Sequence, residues 1–302
     1  MLLAAGQTYV IVSGGIDLSV GFVRGMIAVI AAIVMRDMHA AGYSQAMSIA
    51  AGLAVGVALG LLPGLMNGIL VAKFRVPPFI ATLGMYGVAN GIAFGLSDGF
   101  PIINLPPRVG AIGNGFLGYF FPGIGFSLFE RPPGIPEGEM RNLVGIVPNS
   151  IVIAGVMIVI FGFILSRTRF GQYIYAIGGN IDAARRSGIA VDWQLIKTYT
   201  VSSFFASLSG LMTVLIFANG VHTQFASSLE LFSVAAVVIG GASLYGGKGS
   251  IFGSFLGVLV LAVLEVGFLM SGVFPFYRFI AVGSILIGAV VIDQTFPELV
   301  YD

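Results

Sequence analysis

The chain has 302 residues, of which 57% are hydrophobic and only 9% charged, and its net charge is +1. A soluble domain carries about 25% charged residues, so the composition excludes an ordinary globular protein, and the near-neutral balance gives no reason to expect a nucleic-acid partner. Cysteine is absent, which rules out a disulfide framework and a thiolate metal site.

Mean hydropathy is +1.01, and apolar runs long enough to cross roughly 30 Å of hydrocarbon recur along the chain. The ten-residue alternation of a membrane β-barrel is missing. The reading is therefore all-α: one polytopic membrane helix bundle over 1–302, with about 8–10 transmembrane segments. In chain order the spans fall at 18–35, 46–71, 78–96, 149–166, 197–219, 228–245, 250–271 and 276–292, after a partial segment at 1–12. Because Met1 already lies in apolar sequence, an N-terminal segment of a longer protein is expected to be missing.

The first span is preceded by a break. "TYVIVSGGIDLSVGF", Thr8 to Phe22, is apolar, stops at Ser13-Gly14-Gly15, places Asp17 and becomes apolar again. An interrupted backbone at membrane depth is tolerated only inside protein or beside a water-filled cavity. An aspartate there costs roughly 2.5–3.5 kcal/mol on insertion scales, so Asp17 needs partners or water. Two roles are open: capping the helix that starts at Leu18, or contact with a transported solute, as broken transporter helices provide.

Glycines recur every fourth residue next, at Gly52, Gly56, Gly60, Gly64 and Gly68, and again at Gly87, Gly91 and Gly95. This spacing lets helices approach closely in lipid. Pro63 sits in the first stripe and is expected to kink that helix. Asn67, Asn90, Gln224 and Glu230 are polar candidates for the pathway or for helix packing.

Lys73 and Arg75 fall in one short loop; Arg167, Arg169, Arg185, Arg186 and Lys197 fall in another. Two crossings separate these loops, so they share a side, and the positive-inside rule makes it cytoplasmic. The connection 97–148 then faces outward. It holds most of the 13 prolines and reads as an irregular external loop, with an interfacial turn near Gly113 to Phe121.

Within the basic loop, 167–197, Asn180 suits an N-cap, Asp182 a first turn, Arg185 and Arg186 a last turn, and Gly188 the C′ position. A helix of about two turns is too short to stand alone, and its Ala183 and Ala184 face is expected to dock on a partner. Catalytic signals are weak by comparison. His39 and His222 are isolated, and "GGASLYGGKGSIFG", Gly240 to Gly253, has glycine after Lys248 where a phosphate loop needs Ser or Thr. No metal or catalytic residue is assigned; the chain reads as a transport subunit rather than an enzyme.

Four motifs carry a resemblance: "GGIDLSVG", "VPPFIATLGM" (Val76 to Met85), "AIGGNIDAARRSGI" (Ala176 to Ile189) and "AAVVIGGASLYGGKGSIFGSFLG" (Ala235 to Gly257). Together they resemble the membrane permease of monosaccharide ABC importers of the ribose, xylose and galactose type. The resemblance covers most of the chain in the family's order. It implies a vitamin-B12-importer-like arrangement, a second permease chain, cytoplasmic ATPase subunits that bind ATP and Mg, an external solute-binding protein, and the cytoplasmic membrane of a prokaryote. No cofactor is expected on this chain.

The resemblance makes Asn180, Ile181, Asp182, Ala183, Ala184, Arg185, Arg186, Ser187, Gly188 and Ile189 the coupling helix that fits a groove on the ATPase; Arg185 and Arg186 lie where the family varies more. Gly14, Gly15, Asp17, Asn67, Asn90, Gly240 and Gly241 are the broken-helix and pathway candidates. Phe121 to Asn142 is longer than the family's external loop. Which solute moves is left open: branched-chain amino acid, nucleoside, autoinducer and polyol cargoes compete with a sugar. An ion-coupled carrier is a further alternative, with scattered carboxylates Asp17, Glu265 and Asp293 but no convincing repeat.

Overall fold

A computed structural model of the chain describes residues 1–135, 141–218, 220–222, 228–274 and 276–295. It is mainly helical: α1 (Leu2–Val12), α2 (Val20–Ala40), α3 (Gln45–Ala72), α4 (Pro78–Ser97), α5 (Arg108–Gly113), α6 (Asn149–Arg167), α7 (Arg169–Gly179), α8 (Ile181–Arg186), α9 (Val191–Ile216), α10 (Leu229–Ile239), α11 (Ile251–Met270) and α12 (Phe276–Thr295). Among the described residues, α3, α4, α6, α9 and α11 are long and apolar enough to cross a membrane. The 21-residue α2 has the length as well.

Local chemistry sets several boundaries. Ser44 caps α3 by accepting from the Met47 N–H at 3.3 Å, and Ser250 caps α11 by accepting from Gly253 at 3.0 Å. Pro77 and Pro78 start α4 where their missing donors cost nothing. The expected kink at Pro63 does not interrupt α3, which is helical from Gln45 to Ala72.

The centre of the bundle is α3 against α9, flanked by α2. A Cβ on Gly56 would run into Leu211, on Gly60 into Ser207, on Gly64 into the Tyr199 carbonyl and Ser203, and on Gly68 into Ile196. The α9 residues at these contacts are spaced three or four apart, so one face of α9 lies along the glycine stripe. Ser203 and Ser207 donate their hydroxyls across the seam to the Gly60 and Gly56 carbonyls, at 2.7 and 2.8 Å. Close approach and interhelical hydrogen bonds are what hold helices together where lipid removes the hydrophobic drive. The second stripe behaves differently. Gly87, Gly91 and Gly95 lie on the open face of α4, where an added Cβ would meet nothing within 4 Å, so the packing expected of them is not made among the described residues.

Two sequence expectations are corrected. The segment read as a span at 228–245 is helical only to Ile239, because Gly240 and the left-handed Gly241 turn the chain into a loop. The connection 97–148 is not irregular. It holds α5 and a three-stranded antiparallel sheet in the order β2-β1-β3, with β1 (Phe116–Phe121), β2 (Gly125–Leu128) and β3 (Val144–Pro148). The expected interfacial turn near Gly113 to Phe121 is therefore mostly strand. Its side chains alternate: Tyr119 and Phe121 are buried, while Phe120 is exposed.

Candidate functional site

The break at Ser13 to Asp17 is built from inside the bundle. The Ser13 hydroxyl donates to the Val10 carbonyl at 2.7 Å, and the Gly14 and Gly15 amides donate to Ile11 and Val10, both at 2.9 Å. Gly14 takes a φ of +83°, which glycine adopts without steric cost. The chain then passes Asp17 and re-enters helix at Val20.

Asp17 is fully buried. Its Oδ1 accepts from the Ser19 amide at 3.0 Å and the Ser19 hydroxyl at 2.6 Å; its Oδ2 accepts from the Ser202 hydroxyl at 2.8 Å. Asn67 Nδ2 donates to Ser19 Oγ at 3.1 Å. The Gln7 carboxamide, turned so that both its ends are satisfied, bridges the Asp17 N–H and C=O at 3.2 Å each. Thr82 donates to the Ile16 carbonyl at 3.3 Å. Helices α1, α2, α3, α4 and α9 thus converge on one polar knot. Of the two roles open for Asp17, the local one is visible: it accepts the Ser19 amide at the entry to α2.

A second convergence involves bare backbone. The Gly247 amide donates to the Val12 carbonyl at 2.8 Å, immediately before the break. Gly178, in α7, lies so close that a Cβ there would fall on the same Val12 carbonyl. A Cβ on Gly246 would come within 2.8 Å of the Gly14 nitrogen and 2.9 Å of the Gly178 Cα. Tyr175 of α7 donates to the Gly249 carbonyl at 2.7 Å. The glycine-rich loop is therefore a structural junction between α10 and α11. It joins the break to the helix that carries α8. Gly240 belongs to the same packing, since a Cβ there would strike the Gly253 carbonyl; Gly241 faces open space.

The α8 helix forms as its caps dictate. Asn180 Oδ1 accepts from the Ala183 amide at 2.9 Å, and Gly188 adopts φ +82° after the last turn. The sequence missed its neighbour α7, which Thr168 caps through the Gly171 amide at 3.4 Å. Ala184 corrects the expected docking face: it is buried against Ile177 and Val191. The open surface of α8 is instead Ile181, Asp182, Arg185, Arg186 and Ser187, with Ala183 and Ile189 half-buried. Asp192 lies between the two loops, with Arg185 and Lys73 each 3.5 Å from its carboxylate. These exposed pairs add little stability, but they put the two basic loops on one side, as expected.

On that side a cavity of about 380 Å³ opens between the break, the α3–α4 turn, α8 and α9, lined by Gly14, Gly15, Arg75, Arg185, Asp192 and Tyr199 among others. The Tyr199 hydroxyl is buried and without a hydrogen-bond partner among the described residues. Asn67 is buried in the knot and Asn90 is half-buried on α4, and the Oδ1 of each has no hydrogen-bond partner among the described residues. Gln224 lies outside the described residues. Gln7, Ser19, Ser202, Tyr199 and Gly178 were not picked out from the sequence; the four-residue spacing of Tyr199, Ser203 and Ser207 was the available signal for the seam.

The architecture is that of a polytopic membrane helix bundle with a pinned break, tied by close glycine contacts to α7, the helix that leads into α8. Comparison with known proteins makes this specific. Residues 1–292 match the family described as the branched-chain amino acid transport system / permease component, and the chain belongs to that permease family. It is 36% identical over 293 residues to the ribose import permease protein RbsC of Escherichia coli (strain K12), covering 97% of this chain and 81% of that protein. Identity is 34% over 295 residues to RbsC of Bacillus subtilis (strain 168), covering 97% and 80%. It is 32% over 327 residues to the xylose transport system permease protein XylH of Haemophilus influenzae, covering 97% and 85%. No solved structure matches the chain.

Proposed function

We propose that this chain is the permease subunit of an ATP-driven importer that takes a monosaccharide from an external binding protein across the cytoplasmic membrane of a prokaryote. The observation that carries the reading is the match along nearly the whole chain to permeases named for ribose import and xylose transport. The junction of α7, the glycine loop and the break gives such a permease a mechanical path.

In this reading two permease chains pair, and cytoplasmic ATPase subunits dock on the open surface of α8. ATP, with Mg, is bound and hydrolysed on those partners. Their closure displaces α8 and α7. Because Gly178 abuts the Val12 carbonyl and Gly247 donates to it, that displacement is delivered to the break and the Asp17 knot. ATP can drive switching only if the ATPase binds one permease conformation better than the other; equal affinity would shift nothing. The knot, in which both Asp17 carboxylate oxygens have hydrogen-bond donors, is suited to move as a unit, and the cavity beside Tyr199 lies on the side from which solute would leave.

The reading is tested by uptake into cells or vesicles in which the ion gradient is collapsed while ATP is maintained. Continued accumulation of the sugar is the expected result. Uptake that stops with the gradient and persists without ATP would replace the importer with an ion-coupled carrier.

A further inference from the structure

The external sheet has one face left open among the described residues. Register places Phe120 opposite Phe126 and Val144, and Gly118 opposite Leu128 and Ile146. Cross-strand partners share a face, so Phe120, Phe126, Leu128, Val144 and Ile146 form a single surface. All five are exposed, from 42% for Ile146 to 59% for Phe126. The Phe126 ring folds over Gly118, where a Cβ would come within 2.8 Å of it, which closes the gap that a residue without a side chain would leave in the patch. The opposite face is spent on the protein itself, with Tyr119 and Phe121 buried.

Three observations indicate what covers the open face. From Val109 through Phe129 the sequence has no Asp, Glu, Lys or Arg, and charge returns at Glu130 and Arg131, just beyond β2. A reversible protein interface is about as polar as the rest of a surface and has a polar rim, whereas the boundary between acyl chains and headgroups accepts an aromatic and aliphatic face without charge. Secondly, the sheet leads directly into a span whose apolar side chains are exposed. β3 ends at Pro148, α6 begins at Asn149, and Ile151, Val159 and Phe163 of α6 are all 60% or more exposed. The Asn149 amide donates to the Gly115 carbonyl at 3.0 Å, fixing the sheet to the end of that span.

Thirdly, the depth fits only if the sheet reclines. Val144 lies four residues from Pro148, about 13 Å along an extended strand. The headgroup layer outside the hydrocarbon is only about 5–8 Å thick on each side, so an upright sheet would hold Phe120, Phe126 and Val144 in water. Val147, the last residue but one of β3, takes a left-handed φ of +55°, an uncommon conformation for a β-branched residue, and this interrupts the extended run of the strand just before α6. We infer that the face formed by Phe120, Phe126, Leu128, Val144 and Ile146 rests on the outer leaflet, anchoring the 97–148 connection at the boundary between lipid headgroups and acyl chains.

The absence of cysteine makes a direct test available. Single variants Phe126→Cys and Ile146→Cys of the full chain are spin-labelled in nanodiscs of phosphatidylethanolamine and phosphatidylglycerol. Collision with oxygen is then compared with collision with a water-soluble nickel chelate. Val159→Cys on α6 supplies the lipid reference and Arg131→Cys the aqueous one. Both sheet labels are expected to favour oxygen several-fold, as Val159→Cys does. Nickel accessibility at the level of Arg131→Cys would overturn the inference and put the face in water, free for a binding protein. Labels immobilised and shielded from both reagents would overturn it too, since a protein surface would then be the cover. Two sites on different strands keep the result readable if one variant folds poorly.

Discussion

Ser202 donates to Asp17 across 2.8 Å although the two residues are 185 positions apart in the chain. That bond ties the middle of α9 to the break between α1 and α2, and it is the only described contact of Asp17 Oδ2 with another side chain. Removing the hydroxyl leaves a buried carboxylate oxygen unsatisfied, at a cost of about 1–3 kcal/mol. Ser202→Ala should therefore lower the thermal midpoint of the purified permease, and Ser202→Thr should restore part of it. An unchanged midpoint for Ser202→Ala would show that the knot does not hold the break.

The glycine junction gives a paired prediction on adjacent residues. A Cβ on Gly178 would fall on the Val12 carbonyl, while one on Gly179 meets nothing within 4 Å. Gly178→Ala should force α7 away from the break, reducing uptake severely. Gly179→Ala should transport at near the parental rate. Equal behaviour of the two in an uptake assay would remove the junction from the mechanism.

The two glycine stripes divide in the same way. Gly64→Ala puts a methyl into the α3–α9 seam and should destabilise the fold by about 1–3 kcal/mol, the usual cost of overpacking. Gly91→Ala adds a methyl to an open face inside α4 and should not lower the unfolding temperature of the isolated chain, since alanine favours helix over glycine. Thermal unfolding in detergent separates them.

For α8, the buried position of Ala184 decides which substitution is informative. Ala184→Trp would disrupt the contacts with Ile177 and Val191 and so reports on folding. Arg186→Glu alters the open surface without touching the Asp192 pairs. It should depress coupled uptake severalfold while insertion and thermal midpoint stay as in the parent; full uptake with the variant would take Arg186 out of the ATPase contact.

Much of this architecture could be read from residues, because membrane spans are written in long local patterns. Asn180, Asp182, Arg185 and Gly188 marked α8 because caps and helix ends depend on chemistry within a few positions. What could not be read was tertiary. Nothing local distinguishes Gly64, pressed on Tyr199, from Gly91, which meets nothing. Ala184 looked like a docking face because a small residue fits a partner's groove and its own core equally well. The strands at Phe116 and Val144 were hidden by glycines and prolines that usually signal irregular loops, and the convergence of Gly14, Gly178 and Gly246 depends on contacts between distant segments.

The most direct measurement is solute uptake into proteoliposomes holding the permease with its ATPase, supplied with ATP inside and the binding protein outside, against a panel of pentoses, hexoses, nucleosides and branched-chain amino acids. The account predicts accumulation of a monosaccharide that requires both ATP and the binding protein. Accumulation of an amino acid or nucleoside instead, or of any solute by the permease alone, would contradict it.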